Sequence, residues 1–408
     1  MNIYSTFNKQ TFRVQYILPV CMTLSICTQM MGFMPSIPSY ITYATCILSV
    51  IYLLSTNPKI DIRSLLFLIY LPLTIFIASP DPVFKSFERL LYFAPIFIVG
   101  SPLLQNEKST IFKIMALNTF IIIFIILGVG SFICYFLGIN MMTLNRDEID
   151  ITYQTAGYFS GLTKQSMILG PVGGIAALIG LYKYYTTKKI IYILLLILGY
   201  AACIFSASRG AFIATSIALL VSIYKISKNK ILFLKRIILI LFILFVTSPL
   251  WISGTQMLQE KQLVHKDDKE IFDSRSEKFK YRINEFKSAP LCGVGFSAIN
   301  PKLGDKVSAN GVIEPGSSWL AFLSMTGLIG FIAFLSIFIR SFKKVYYIKN
   351  KTRSIFLSCI LVLISIHWFI EGYIFAAGNS LCFFSWLMIG VCNDKNIIGN
   401  KYKKIILI

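Results

Sequence analysis

A handful of side chains stand out by type and spacing in a sequence that is otherwise mostly apolar. Arg209 lies in Ser206-Ala207-Ser208-Arg209-Gly210, between two apolar runs with almost no hydrophilic padding. A guanidinium at hydrocarbon depth costs roughly 2.5 to 3.5 kcal/mol, so it must snorkel, face a cavity or find an anion. An interfacial anchor and an anion ligand fit this setting equally well. Arg275, Phe279, Arg282 and Phe286 are spaced four, three and four, which puts two cations and two aromatic rings on one helix face. A guanidinium grips phosphate oxygens through two parallel hydrogen bonds, which a lysine cannot do. For Arg282 the favoured reading is plainer, an amphipathic helix covering its neighbours. Glu314 precedes a Pro315-Gly316 turn, and Ser317 or Ser318 is placed to cap the next apolar run. That carboxylate lies beside a helix N-terminus, where it either serves a site or simply stabilises the helix end. His367 and Glu371, four apart, suit a proton relay or, more in keeping with base rates, a structural hydrogen-bonded pair. Asp267-Asp268 reads as a solvated pair, because no metal-ligand spacing surrounds it.

The elements that must position these residues are membrane helices. The chain has 408 residues, is 56% hydrophobic and only 14% charged, and its mean hydropathy is +0.72, far above what a soluble surface tolerates. A spanning helix takes about 20 residues. Twelve runs of suitable character fall near 16–34, 37–55, 64–79, 90–104, 114–138, 165–182, 190–205, 211–226, 231–252, 318–339, 354–371 and 374–392. They are continuously apolar rather than alternating, which favours helices over a barrel. The fold class is therefore all-α: a polytopic helical bundle of about twelve spans with one long loop between the ninth and tenth. This divides the chain into spans 1–9 (1–252), the loop (253–317), and spans 10–12 with a tail (318–408).

The net charge of +21 is no nucleic-acid footprint once its distribution is followed. With an inside N-terminus, the segments on the cytoplasmic side hold 24 Lys and Arg against Asp61, Glu107 and Asp394, while the outer segments hold 15 basic and 15 acidic residues. The whole excess follows the positive-inside rule, so both termini are expected inside and the long loop outside the cytoplasmic membrane. Eight of the nine cysteines lie in or beside apolar runs, and Cys292 alone in the outer loop excludes a disulfide framework there. The first apolar run follows a polar stretch without a small-residue cleavage site and reads as an uncleaved anchor.

Within the loop, Ser274-Arg275-Ser276-Glu277 has the capping-box pattern, predicting a helix from about Arg275 to Lys287 that stops before Pro290. Gly293-Val294-Gly295 reads as a tight turn, without the strand and helix context of a phosphate cradle. His265 is the loop's histidine and lies far upstream of Glu314.

Taken together, the Ser-x-Ser-Arg-Gly turn at 206–210, the arginine fifteen residues before Pro290-Leu291-Cys292-Gly293-Val294-Gly295, and the segment Trp319 to Gly330 with Gly327-Leu328-Ile329-Gly330 resemble the O-antigen polymerase and ligase superfamily. The likeness is best from about 190 to 335, and the first 180 residues match in hydropathy alone. The resemblance implies a GT-C-like membrane glycosyltransferase that uses polyprenyl-diphosphate-linked sugars without a metal or other cofactor. Its partners would be the lipid-linked oligosaccharide donor and acceptor, membrane lipids and a chain-length regulator, with no nucleic acid. Carried over by position, Arg209 and Arg275 would engage the donor diphosphate; in the mechanism this suggests, Glu314 would accept the proton of the incoming sugar hydroxyl. Ser208, Arg282, His367 and Glu371 would line the substrate site. The ligase branch is expected to carry a histidine just before the tenth span, where this chain has Glu314, a departure that favours the polymerase. The loop is then expected to act as a lid that brings Arg275 and Glu314 over the membrane to Arg209. A flippase of lipid-linked oligosaccharide would instead need polar or cationic residues within the spans, and here they lie mainly at the ends.

Overall fold

In hydrocarbon a backbone has no water to bond with, so each apolar run closes its amide bonds on itself as a helix. The structure is a computed structural model that describes residues 3–144, 159–227, 229–246, 270–303, 311 and 313–398. Its helices, in order, are α1 (Ile3–Cys27), α2 (Ser39–Leu54), α3 (Ile62–Ala78), α4 (Ser86–Gly100), α5 (Glu107–Phe136), the short α6 (Met141–Leu144), α7 (Ser166–Thr187), α8 (Ile191–Phe205), α9 (Arg209–Ile226), α10 (Lys230–Val246), α11 (Glu270–Ser288), α12 (Ser318–Tyr346), α13 (Lys351–Ile370), α14 (Ser380–Asn393) and the short α15 (Lys395–Ile398). Among the described residues, α5, α7, α9, α12 and α13 are long and apolar enough to cross a bilayer, and shorter apolar helices lie at Val14–Cys27, Ser39–Leu54, Ile62–Ala78, Ile191–Phe205 and Ser380–Asn393. The protein is an all-α membrane protein. The predicted boundary at 252, His265 and Asp267-Asp268 lie outside the described residues.

Several edges differ from the sequence reading for local reasons. The first helix ends at Cys27 rather than 34, because Met31 pairs with Thr163 as an isolated bridge and Gly32 donates to the Leu162 carbonyl at 2.8 Å. The last long helix starts at Ser380 rather than 374, where Asn379 accepts from the Leu381 amide as its cap. The loop helix α11 begins at Glu270, so Ser274 is inside it and is not the predicted cap.

The largest departure is at α12. Gly327 has φ +63° and ψ −170°, which breaks the helix nine residues from its start, roughly 14 Å along its axis. The loop fills the break with backbone. Leu328 and Ile329 amides donate to the carbonyls of Pro290 (2.8 Å) and Leu291 (3.2 Å), while Val294 and Gly295 amides donate to Ser324 (2.8 Å) and Met325 (3.2 Å). The Tyr70 hydroxyl on α3 donates to the Thr326 carbonyl at 3.0 Å. Both chains come too close for side chains: a Cβ on Gly327 would sit 2.3 Å from the Leu291 oxygen, and one on Gly293 would sit 2.5 Å from the Met325 carbonyl carbon. Irregular backbone survives at this depth because it is buried in protein and satisfied there. Residues 293–299 are all buried, with the Phe296 ring against Phe93 and Phe375 and its amide donating to Thr74 Oγ1 at 3.0 Å. Residues 293–299 of the loop thus fold back among the helices as a re-entrant arm of the bundle.

Below it, an aromatic core joins α3, α4, α12 and α14, with Phe322 and Phe334 stacked at 3.8 Å and Phe97 edge-on to Trp386 at 4.7 Å. The connections sort into two sets by their contacts. At one end a short antiparallel pair, Lys59–Ile60 with Leu104–Gln105, lies beside an Asp61–Arg340 ion pair and the buried Lys113, whose ammonium donates to the Leu104 carbonyl. Burial opposes the charge on Asp61, but the Arg340 guanidinium and the Ser64 donors outweigh it and hold the carboxyl below its ordinary range. At the other end Lys164 donates to Ser36, Arg89 reaches Ser297 and Gly311, and Ser318 reaches Glu371. The second set carries every described candidate for chemistry.

Candidate functional site

The turn between α8 and α9 is built under strain. Ala207 has φ +50°, a left-handed conformation that costs a non-glycine residue about 1–2 kcal/mol, and it is 1% exposed. Ser206 Oγ donates to the Cys203 carbonyl at 2.7 Å and accepts from the Ser208 amide at 3.3 Å, so the turn is held from within. The effect is to start α9 at Arg209 itself, with Ser208 in the capping position but making no side-chain cap bond. Arg209 is half-buried, and among the described residues its side chain has no hydrogen bond or ion pair. A cation at the positive end of a helix dipole, near uncapped amides, combines two unfavourable electrostatic effects that a bound anion would reverse.

Glu314 reaches the same end of the bundle from the other side. Ser317 caps α12, accepting from the Leu320 amide at 3.4 Å and donating to the Trp368 carbonyl at 3.0 Å. The Ser318 amide and hydroxyl both donate to the Glu371 carbonyl, at 3.1 and 2.7 Å. These bonds fix the start of α12 on the end of α13, and Pro315 packs on Gly372. Glu314 is left exposed and ion-paired with Lys278 of α11. On the opposite flank Gly210, next to Arg209, packs against Ile370. The segment Ile370–Gly372 therefore carries the Arg209 turn on one side and the Glu314 turn on the other.

The remaining predicted residues fall around this centre with different surroundings. Arg275 lies on α11, three residues before Lys278, with its side chain outside the described part. Arg282 is 1% exposed and bonds Glu285 at 2.7 Å, and Glu285 Oε1 in turn accepts from the Asn300 amide at 2.9 Å. This buried pair clips α11 to the returning chain, in keeping with the plainer reading of that arginine. His367 is buried with Nδ1 at 3.1 Å from the Tyr373 hydroxyl. Glu371 does not continue the helical face of His367, because it is already extended, at φ −129° and ψ 136°, where α13 stops. The two Ser318 bonds to the Glu371 carbonyl hold the chain where the helix ends.

Sequence reasoning missed three contributors. Lys278 and Arg89 looked like ordinary loop and interface cations, and no spacing rule ties them to Glu314 or Gly311. The glycines of Gly293-Val294-Gly295 and Gly327 were visible, but the backbone pairing around them spans 30 to 38 positions and no local pattern announces it.

No curated protein matches the chain. Residues 192–335, which are 144 of the 408, match a family model described as O-Antigen ligase. The matched stretch runs from α8 through the strained turn, the loop and the broken half of α12, so it takes in Arg209, Arg275 and Glu314. This match supports the chain's place in the O-antigen ligase/polymerase superfamily.

Proposed function

We propose that the chain polymerises polyprenyl-diphosphate-linked oligosaccharide repeat units at the outer face of the cytoplasmic membrane, in a bundle of about twelve spans with both termini inside. The observation that carries this reading is Arg209: a half-buried guanidinium without a described partner, at an uncapped helix N-terminus, within the family-matched region. A diphosphate leaving from an anomeric carbon gains negative charge as the carbon–oxygen bond breaks, and Arg209 with Arg275 would stabilise it. The incoming sugar hydroxyl forms the new glycosidic bond at that carbon, and its proton passes to Glu314. General-base help of this kind is worth about 10² to 10⁴ in rate when the carboxylate is within hydrogen-bond reach. One oligosaccharide chain is transferred onto the next lipid-linked unit and the carrier lipid diphosphate is released. Ser208, Glu371 and His367 would line the seat, while Arg282 would support it from beneath.

Glu314 favours polymerisation over ligation, because the resemblance leads one to expect a histidine there in a ligase. Surface-polysaccharide ladders from cells carrying wild type, Arg209→Ala, Arg275→Ala or Glu314→Ala at matched protein levels test the reading. Each substitution is expected to collapse the ladder to a single capped repeat unit. Normal ladders in both Arg209→Ala and Glu314→Ala would sink the assignment, and loss of even the single-repeat species would identify a ligase.

A further inference from the structure

Arg89 stands on the first turn of α4, half-buried, and reaches away from its own helix. Its Nη2 donates to the Gly311 carbonyl at 2.6 Å and its Nη1 to Ser297 Oγ at 3.3 Å. These acceptors belong to different arms of the long loop. Ser297 lies in the buried re-entrant arm, and Gly311 opens the arm that reaches Glu314 three residues later. Gly311 has φ +64°, and a Cβ there would come 2.2 Å from the Val83 carbonyl oxygen, so the arm is pressed onto the turn that leads into α4. The neighbouring Glu88 is exposed and lies 3.9 Å from Lys85. Glu88 adds a favourable charge interaction with Arg89, but among the described residues no carboxylate is in salt-bridge contact with the guanidinium. Its planar fork is spent on a carbonyl and a hydroxyl, which fixes direction and distance rather than neutralising charge.

We propose that Arg89 is a positioning residue that ties both arms of the loop to α4 and thereby sets where the Glu314 carboxylate stands over the Ile370–Gly372 segment. This rests on the reading of Glu314 as the proton acceptor. Beyond Gly311 the arm is held where Ile313 packs on the Phe84, Ala298 and Ile299 cluster, at Glu314 by Lys278 and at Ser317 by the α12 cap, and Arg89 is the guanidinium anchor at its upstream end. A misplacement of about 1 Å is enough to cost a reaction about 10²-fold.

The test uses the full chain in lipid nanodiscs, with lipid-linked repeat units extracted from cells lacking it as the probe. Arg89→Ala is expected to lower kcat about 10- to 100-fold, with the KM for the lipid-linked unit changed less than about threefold. Arg89→Lys, which can still reach one acceptor, is expected to recover most of that loss. Ser297→Ala leaves the Gly311 bond intact and is expected to stay within about threefold of wild type. In a Glu314→Gln background, adding Arg89→Ala is expected to cost nothing further, because the group it positions is already gone. If Arg89→Ala fails to fold, the same comparison is made with Arg89→Lys and Arg89→Gln. A raised KM with unchanged kcat would overturn the proposal by making Arg89 a substrate ligand. Losses that multiply in the double variant would overturn it while leaving the Glu314 reading intact. Wild-type turnover in Glu314→Gln alone would overturn the Glu314 reading and this inference with it.

Discussion

Replacing Gly327 by alanine should uncouple the re-entrant arm from the broken helix, and the size of the effect can be worked from two separable causes. The first is conformational: φ +63° with ψ −170° is a region essentially reserved for glycine and costs other residues about 1–3 kcal/mol. The second is steric, since the new Cβ would lie 2.3 Å from the Leu291 oxygen and 2.4 Å from its carbon, both of them backbone. Relief requires the arm to withdraw, which strains the bonds from Leu328 and Ile329 to Pro290 and Leu291, each worth about 0.5–1.5 kcal/mol net. The expected destabilisation is therefore about 2–6 kcal/mol. Two other glycines separate the causes. Gly378 has no atom within 4 Å of a built Cβ and no positive φ, so Gly378→Ala should be neutral. Gly138 has φ +68° with the same open space, so Gly138→Ala should show the conformational cost alone, about 1 kcal/mol. Denaturant or thermal unfolding of the three purified variants in one detergent reads the ordering directly. A Gly327→Ala variant no less stable than Gly138→Ala would refute the view that close backbone pairing holds the loop in the helix break.

The buried Arg282–Glu285 pair makes a second prediction. Arg282→Met leaves a buried carboxylate without its guanidinium and should cost about 3–5 kcal/mol, whereas adding Glu285→Leu should restore part of it, the Asn300 amide being the group left short. Unfolding midpoints showing the double variant no better than the single one would contradict this. At the opposite end, the folded-state pKa of Asp61 is depressed, so its pairing with Arg340 contributes stability that is present above the unfolded value near 3.9 and lost as pH falls through the folded value. Melting curves of wild type and Asp61→Asn should differ at pH 6 and draw together as pH falls below about 4, and a gap that stays constant down to pH 3 would exclude that origin.

Much of the helical framework was legible because each run had to satisfy its own backbone. Hydropathy located α7, α8 and α9 within a few residues, and the Pro290 stop followed α11 as expected. Propensity and capping were weaker guides. Ser274 had the right partners for a cap, yet the helix already runs from Glu270. The break in α12 was not legible at all, since Gly327 sits in an unbroken apolar run and its reason lies in a loop more than 30 residues earlier. The site was partly legible for the same physical reason. Arg209 announces itself through the cost of placing a cation beside hydrocarbon, whereas Arg89 and Lys278 acquire their partners only through the fold. Arg282 carries the opposite lesson: it lies on the expected helix, and in keeping with the plainer reading it turns inward to Glu285.

The break in α12 and the strain at Ala207 solve one problem in two places. A membrane helix that simply ran to the interface would leave its first amides and its charged neighbours to water, with no fixed geometry. Here α9 is started early by a left-handed alanine, which sets Arg209 at the helix mouth instead of out in the loop. The first nine residues of α12 are held separately from its remainder, bonded to Glu371 above and to the re-entrant arm at the break. That outer piece carries the cap immediately after Glu314, so the carboxylate is referenced to α13 and to the loop rather than to the full length of one helix. On the proposed reading this division has a use. Two lipid-linked substrates must approach from the bilayer side, and an outer half-helix with its own anchors can keep Glu314 and Arg209 in register while the membrane-embedded remainder adjusts to the lipid chains.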